Sequence, residues 1–200
     1  MELSKLFETQ RRLDERIVKE KGLEGHGLLP MKILALQVEL GELANEWRGF
    51  KFWSEDRNPR TEVTYDICGT CGGTGTPFGI PEETDIDCWK CGGEGELTRN
   101  PLLEEYVDCL HFILSIGFTI GSTKPRVTFP KAGGRSKEFT AVRFNECLRF
   151  ANLLLDDDYY DLLFQYFMDL GYMLGFTWAQ VESAYFTKNK INHARQESGY

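Results

Sequence analysis

What the sequence lacks sets its first limits. No apolar run approaches the roughly 18 residues needed to cross a bilayer. The opening stretch, MELSKLFETQRRLDERIVKE, is charged throughout and has no apolar segment of the secretory type. Both absences lead to the expectation of an intracellular, cytoplasmic protein, in which thiols stay reduced. Positive charge is scarce as well: 23 Lys and Arg stand against 31 Asp and Glu, a formal net charge of −8. Such a surface repels phosphate backbones and argues against general nucleic-acid binding. It leaves a nucleotide open, because bridging metal ions reconcile carboxylates with phosphates. Strand-like stretches are few outside one Cys-rich segment, and there is no tandem repeat apart from that segment's two half-motifs.

What is present is mostly helical. With 42% hydrophobic residues in 200, the chain has material for one core and a minor appendage. Leu6, Leu13 and Ile17 fall near one face of a first helix that ends around Gly22. A second helix starts at Met31, with Ile33, Leu36, Leu40 and Leu43 at helical spacing. Helical periodicity then disappears between Trp53 and Pro101, where Gly, Pro, Thr and Cys accumulate. It returns strongly over residues 102–120. After a Pro- and Gly-containing loop, three more helical segments follow near 141–155, 159–174 and 178–193. The fold class expected is all-α: a helical bundle formed by residues 1–60 and 99–200, with residues 61–98 as a small inserted module.

The insert contains Cys68, Cys71, Cys88 and Cys91, spaced C-x2-C-x16-C-x2-C. Two such pairs in a reducing compartment suit tetrahedral Zn2+. Each pair is followed by Gly-Gly, which permits a tight turn behind the cysteines. CGTCGGTG and CWKCGGEG resemble the zinc module of DnaJ-type chaperones over about thirty residues. Four thiolates close one tetrahedron and leave no position for substrate, so the zinc is expected to be structural. Glu82, Glu83, Asp85, Asp87, Glu94 and Glu96 outweigh Lys90 there, against a nucleic-acid role. Cys109 and Cys147 lie in apolar helical patterns and read as core thiols, and His111 as a satisfied core histidine.

Acidic pairs occupy the two helices that flank the insert. Glu39, Glu42 and Glu46 sit at i, i+3 and i+7, and Glu105 and Asp108 at i and i+3, each set on one helix face. One such pair is usually a solvated helix boundary. Two pairs on inward-leaning helices would repel unless a cation lay between them, and hard oxygen ligands select Mg2+ or Mn2+. Such a cluster can hold Mg2+ against a triphosphate and activate water.

These acidic helices resemble the all-α nucleotide pyrophosphatase superfamily that includes MazG. The stretches LQVELGELANEWRGFKFWS, LLEEYVDCLHFILSIG and YFTKNKINHARQESGY resemble the dimeric, all-α dUTPase family. That resemblance covers nearly everything outside residues 61–98. It implies Mg2+-dependent hydrolysis of dUTP to dUMP and pyrophosphate by a homodimer. It implies Mg2+ binding by Glu39, Glu42, Glu105 and Asp108, with Glu39 orienting or deprotonating the attacking water. In the tail, Lys188, Asn192 and Arg195 share one helix face. Lys and Arg suit phosphate oxygens and Asn a sugar hydroxyl, and Tyr200 closes the matching motif. Trp53 resembles the family's base-stacking Trp and Gln10 its base-reading Gln. The basic loop with Lys124, Arg126, Lys131, Arg135 and Lys137 is either a solvated loop or a lid over the triphosphate. Two alternatives stay beside this reading. One is a pyrophosphatase for another nucleoside triphosphate, such as dCTP or a modified pyrimidine nucleotide. The other is a helical scaffold carrying the zinc knot as a docking module.

Overall fold

The computed structural model describes residues 2–79, 86–131, 136–155 and 159–198. Glu82, Glu83, Asp85, Arg135 and Tyr200 lie outside the described residues. The chain forms two compact units, one of Met1–Pro59 with Leu102–Tyr200, the other of Arg60–Pro101.

Six α-helices run through the described residues: α1 (Leu3–Glu20), α2 (Leu29–Trp47), α3 (Pro101–Thr119), α4 (Lys137–Leu153), α5 (Tyr160–Met173) and α6 (Trp178–Glu197). Their ends follow local chemistry. Pro30 sits in the first turn of α2, where its missing N–H costs nothing. That helix stops at Trp47, because Arg48 adopts a left-handed conformation with φ 59°. The guanidinium of Arg48 ties down the following loop, reaching both the carbonyl and the carboxylate of Asp56 at 2.9 and 3.1 Å. Ser136 caps α4, and Thr177 caps α6 through a reciprocal box with Gln180. None of the helices among the described residues is long and apolar enough to cross a membrane.

The core is centred on α3. Leu102, Tyr106, Val107, Cys109, Leu110, Ile113, Leu114 and Ile116 are all fully buried. Around it lie the Ile33–Leu36–Leu40–Leu43–Trp47 stripe of α2 and the buried face of α5 with Tyr160, Leu163, Phe164 and Phe167. Two reciprocal contacts lock α3 to α5. The Tyr106 hydroxyl donates to Phe167 O at 3.0 Å, and the Tyr160 hydroxyl donates to Ile113 O at 2.9 Å. Each hydroxyl lies over a glycine of the opposite helix, Gly171 or Gly117, where a Cβ would collide with it. A side chain at either glycine would therefore separate the helices or break the bond.

The smaller unit has its own two-fold logic. Strands β1 (Val63–Ile67) and β2 (Glu96–Arg99) pair antiparallel, with a bulge between Thr64 and Asp66. The two half-motifs clasp each other: Cys68 N donates to Gly95 O at 2.8 Å and Cys88 N to Gly75 O at 2.7 Å. Gly75 and Gly95 have φ of 80° and 76°, and a Cβ on either would strike the backbone of the other half.

Candidate functional site

Three helices and the N-terminal helix bring their polar faces to one cleft of about 340 Å3 in the larger unit. From α2 comes Glu39. From α3 come Asp108, His111, Phe112 and Ser115, and from α6 Lys188, Asn192 and Arg195. Gln10 and Asp14 complete it from α1. The spacing that put Lys188, Asn192 and Arg195 on one face thus turns all three toward the acids of α2 and α3.

The carboxylates of Glu39, Glu105 and Asp108 converge, each with an oxygen within 4.8 Å of the others. Glu42 is exposed and stays outside that group of three. Its charge still reaches Glu39 and Glu105. Burial and then the charges of Asp108, Glu42 and Glu105 push Glu39 up to about 7; Lys188 opposes the shift. Glu105 is likewise pushed up to about 7, first by burial and then by Asp108 and Glu42. Lys188 donates to Asp108 at 2.5 Å and supplies the internal counter-charge. A half-buried, mutually repelling oxygen cluster of this kind fits a hard divalent cation, which would relieve the repulsion.

Gln10 is buried at 4% exposure, rather than on a solvated face. Its Nε2 donates to Asp14 Oδ1 at 2.8 Å, and its Oε1 accepts from Tyr185 at 3.0 Å. Trp53 falls outside the cleft lining. It is 66% exposed, with Phe50 and Phe52 edge-on to its ring. Tyr200 lies outside the described residues. The described residues of the basic loop do not line the cleft either. Its Thr128 backbone is clamped to α5 by Gln165, and Val127–Lys131 border a separate cavity with Tyr172, Phe176 and Trp178.

Three lining residues escaped the sequence reading, Asp14, Phe112 and Ser115, and a fourth, His111, was expected to be a satisfied core histidine. Asp14 is one turn after Gln10, and His111 and Ser115 continue the Asp108 face at i+3 and i+7, so helical spacing held the signal. His111 is only half satisfied. Its Nδ1 must carry the proton that goes to Val107 O at 2.9 Å, so Nε2 is left as a buried acceptor with no partner among the described residues. Burial pushes its pKa down, which favours that neutral form. Cys109 and Cys147 are both fully buried.

In the smaller unit the four sulfurs of Cys68, Cys71, Cys88 and Cys91 lie within 4.8 Å of one another, and all four cysteines are free. Cys68 and Cys88 sulfurs are 3.9 Å apart, and those of Cys71 and Cys91 are 3.7 Å apart. A zinc tetrahedron with bonds of about 2.3 Å has sulfur–sulfur edges of about 3.8 Å. The cluster therefore has the size that Zn2+ requires.

Acids from two helices, facing cations from a third across a polar cleft, define the class: a mostly helical protein built to hold a small, highly charged ligand. The comparisons narrow it. A family model described as dUTPase matches residues 2–66 and 83–200, and the chain belongs to that dUTPase family. Membership makes it a hydrolase, a dUTP diphosphatase acting on a nucleotide. No curated protein and no solved structure matches the chain.

The raised carboxylates have a consequence for stability. Glu39 and Glu105 titrate near 4.5 when unfolded and near 7 when folded. The native state thus binds extra protons between these values, and stability falls as pH rises through that window. In EDTA, urea denaturation should show the wild type losing stability between about pH 5 and about pH 7.5 relative to a Glu39→Gln/Glu105→Gln variant. Parallel profiles would show that neither burial nor repulsion raises these two carboxyls in the folded protein.

Proposed function

We propose that the chain hydrolyses dUTP to dUMP and pyrophosphate in this cleft, with Mg2+ as its cation. The observation that carries the reading is the convergence of Glu39, Glu105 and Asp108 opposite Lys188, Asn192 and Arg195. These three acids, with Glu42 at the rim, would hold the metal. Bound there, Mg2+ would supply charge neutralisation and polarise phosphoryl oxygens. Glu39 is the acid of α2 that lines the cleft and is assigned to orient the attacking water and accept its proton. Lys188 is assigned to exchange Asp108 for phosphate oxygens, alongside the planar fork of Arg195. Asn192 is assigned to a sugar hydroxyl, and Gln10 to the base edge. Trp53 offers an exposed ring face for stacking, and Tyr200 closes the motif of the tail.

Pyrophosphate release from dUTP should require Mg2+ and stop in EDTA. Glu39→Gln should lower kcat by about 10²- to 10⁴-fold, the range for a general base, and Asp108→Asn should also abolish most turnover. Full activity in both variants would remove the acids from the mechanism.

We further propose that residues 1–60 and 99–200 form the nucleotide pyrophosphatase domain and residues 61–98 an inserted four-cysteine module with a structural Zn2+. The closed thiolate set supports this, and the cytoplasm is the compartment that keeps such thiols reduced. One zinc per chain should copurify. A short flexible linker in place of residues 61–98 should leave dUTP hydrolysis measurable, because loop closure depends weakly on length. Protein purified without chelators and free of zinc would defeat the assignment of the cluster. A folded linker variant with no activity would instead give the insert a part in catalysis.

The assembly is proposed to be a homodimer. Support comes from an apolar stripe that α2 turns to solvent: Met31, Leu34 and Val38 are 61%, 61% and 52% exposed at helical spacing. Sedimentation at micromolar concentration should give a dimer for the wild type and a smaller species for Leu34→Glu. A fully active monomer would refute it.

A further inference from the structure

Gln10 belongs to a buried network whose donor and acceptor pattern leaves it one orientation. Asp14, on the next turn of α1, is 9% exposed and uses both oxygens. Its Oδ1 accepts from Gln10 Nε2 at 2.8 Å. Its Oδ2 accepts from Ser115 Oγ at 2.5 Å and from Lys32 Nζ at 3.1 Å. Lys32 is held in turn by Thr119 Oγ1 at 2.8 Å. On the other side of the amide, the fully buried Tyr185 hydroxyl has two oxygens in reach, Gln10 Oε1 at 3.0 Å and Leu6 O at 3.2 Å.

A carboxylate only accepts hydrogen bonds, so the atom of Gln10 that faces Asp14 must be the NH2 group. Tyr185 does not impose this choice. Its hydroxyl can donate to Oε1, or it can accept from an inverted amide while donating to Leu6 O. Asp14 alone decides. So fixed, the amide keeps one N–H and one oxygen lone pair beyond its internal bonds. The Watson–Crick edge of uracil presents O4 as acceptor and N3–H as donor. Cytosine presents the reverse at the same two positions, an amino donor and an N3 acceptor. An amide locked one way matches one base and opposes the other.

We propose that Asp14, buttressed by Ser115 and Lys32, is the positioning residue that sets base choice by fixing the Gln10 amide in the uracil-reading orientation. This rests on the reading that Gln10 faces the base. Asp14→Asn makes the mechanism explicit. Lys32 donates only, and Ser115 now donates to Asp14, so the introduced carbonyl is drawn to that side and its NH2 is left facing Gln10. Gln10 then turns Oε1 toward it and Nε2 toward Tyr185, which accepts and donates to Leu6 O. Every group stays bonded, and the reading edge is inverted.

The test is steady-state kinetics with dUTP and dCTP for wild type, Asp14→Asn and Ser115→Ala, each with Mg2+. Asp14→Asn should lower the dUTP-to-dCTP ratio of kcat/KM by at least about tenfold. The dUTP change should appear in KM, with kcat held within about threefold, as expected for lost ground-state recognition. Ser115→Ala keeps the Lys32–Asp14 pair and should move the ratio the same way by a smaller factor; it decides the matter if Asp14→Asn does not fold. A uracil preference unchanged in every folded variant, or an equal loss for both nucleotides, overturns the positioning role. A wild-type enzyme with no uracil preference overturns the reading of Gln10 on which the proposal rests.

Discussion

Everything in the larger unit answers to one electrostatic constraint: Glu39, Glu105 and Asp108 must stay close although their charges repel. Left to themselves, carboxylates on neighbouring helices would turn to solvent. Here two of them come from α3, whose remaining faces are sealed in the core, so they have nowhere to retreat. Their partial burial strengthens the repulsion and raises the affinity of the cluster for a cation at the same time. Lys188 takes part of that load through Asp108 and lines the same cleft. The mutual repulsion of the acids and their capacity to bind metal are thus two aspects of one arrangement.

Such a cluster needs a rigid support. The α3–α5 lock supplies it, because each tyrosine hydroxyl reaches a helix carbonyl only where the opposing helix has a glycine. The cost of glycine in a helix, roughly 0.5–1 kcal/mol relative to alanine, is set against close packing of two aromatic side chains and two buried hydrogen bonds. The stack of Tyr106 on Phe167, with ring centroids 4.2 Å apart, belongs to the same contact. Since α3 carries Asp108, His111 and Ser115, fixing its position fixes one wall of the cleft.

The two candidate metal centres follow opposite chemistry. The four-cysteine cluster is soft, closed and sized to a tetrahedron, which suits a fold-forming ion. The carboxylate cluster is hard and opens on a cleft, which suits an ion shared with substrate. The pairing of Val63 with Arg99 brings the two ends of the smaller unit together.

Much of this was legible in the sequence, wherever the cause was local. Helical periodicity located all six helices, because an apolar stripe must recur every three or four residues. The spacing of the cysteines announced a tetrahedral site, and the i, i+3 acids and the Lys188–Asn192–Arg195 face were readable as groups. Spacing says which residues share a face, but not which face turns inward. Glu39 and Glu42 are equivalent by pattern, yet packing of α2 on its neighbours encloses the first and exposes the second. The spacing of Gln10 alone does not bury it; α6 does so by bringing Tyr185 against it from 175 positions away. Asp14 and Ser115 drew no notice, since their partnership spans 101 residues and exists only when α1 and α3 are docked. The sequence by itself determined the helices, the cysteine cluster and the acidic pairs, because each depends on neighbours within a few turns. Only the tertiary structure decided which acids meet, how Gln10 is oriented and that Trp53 stands outside the cleft, because those depend on helices meeting from distant parts of the chain.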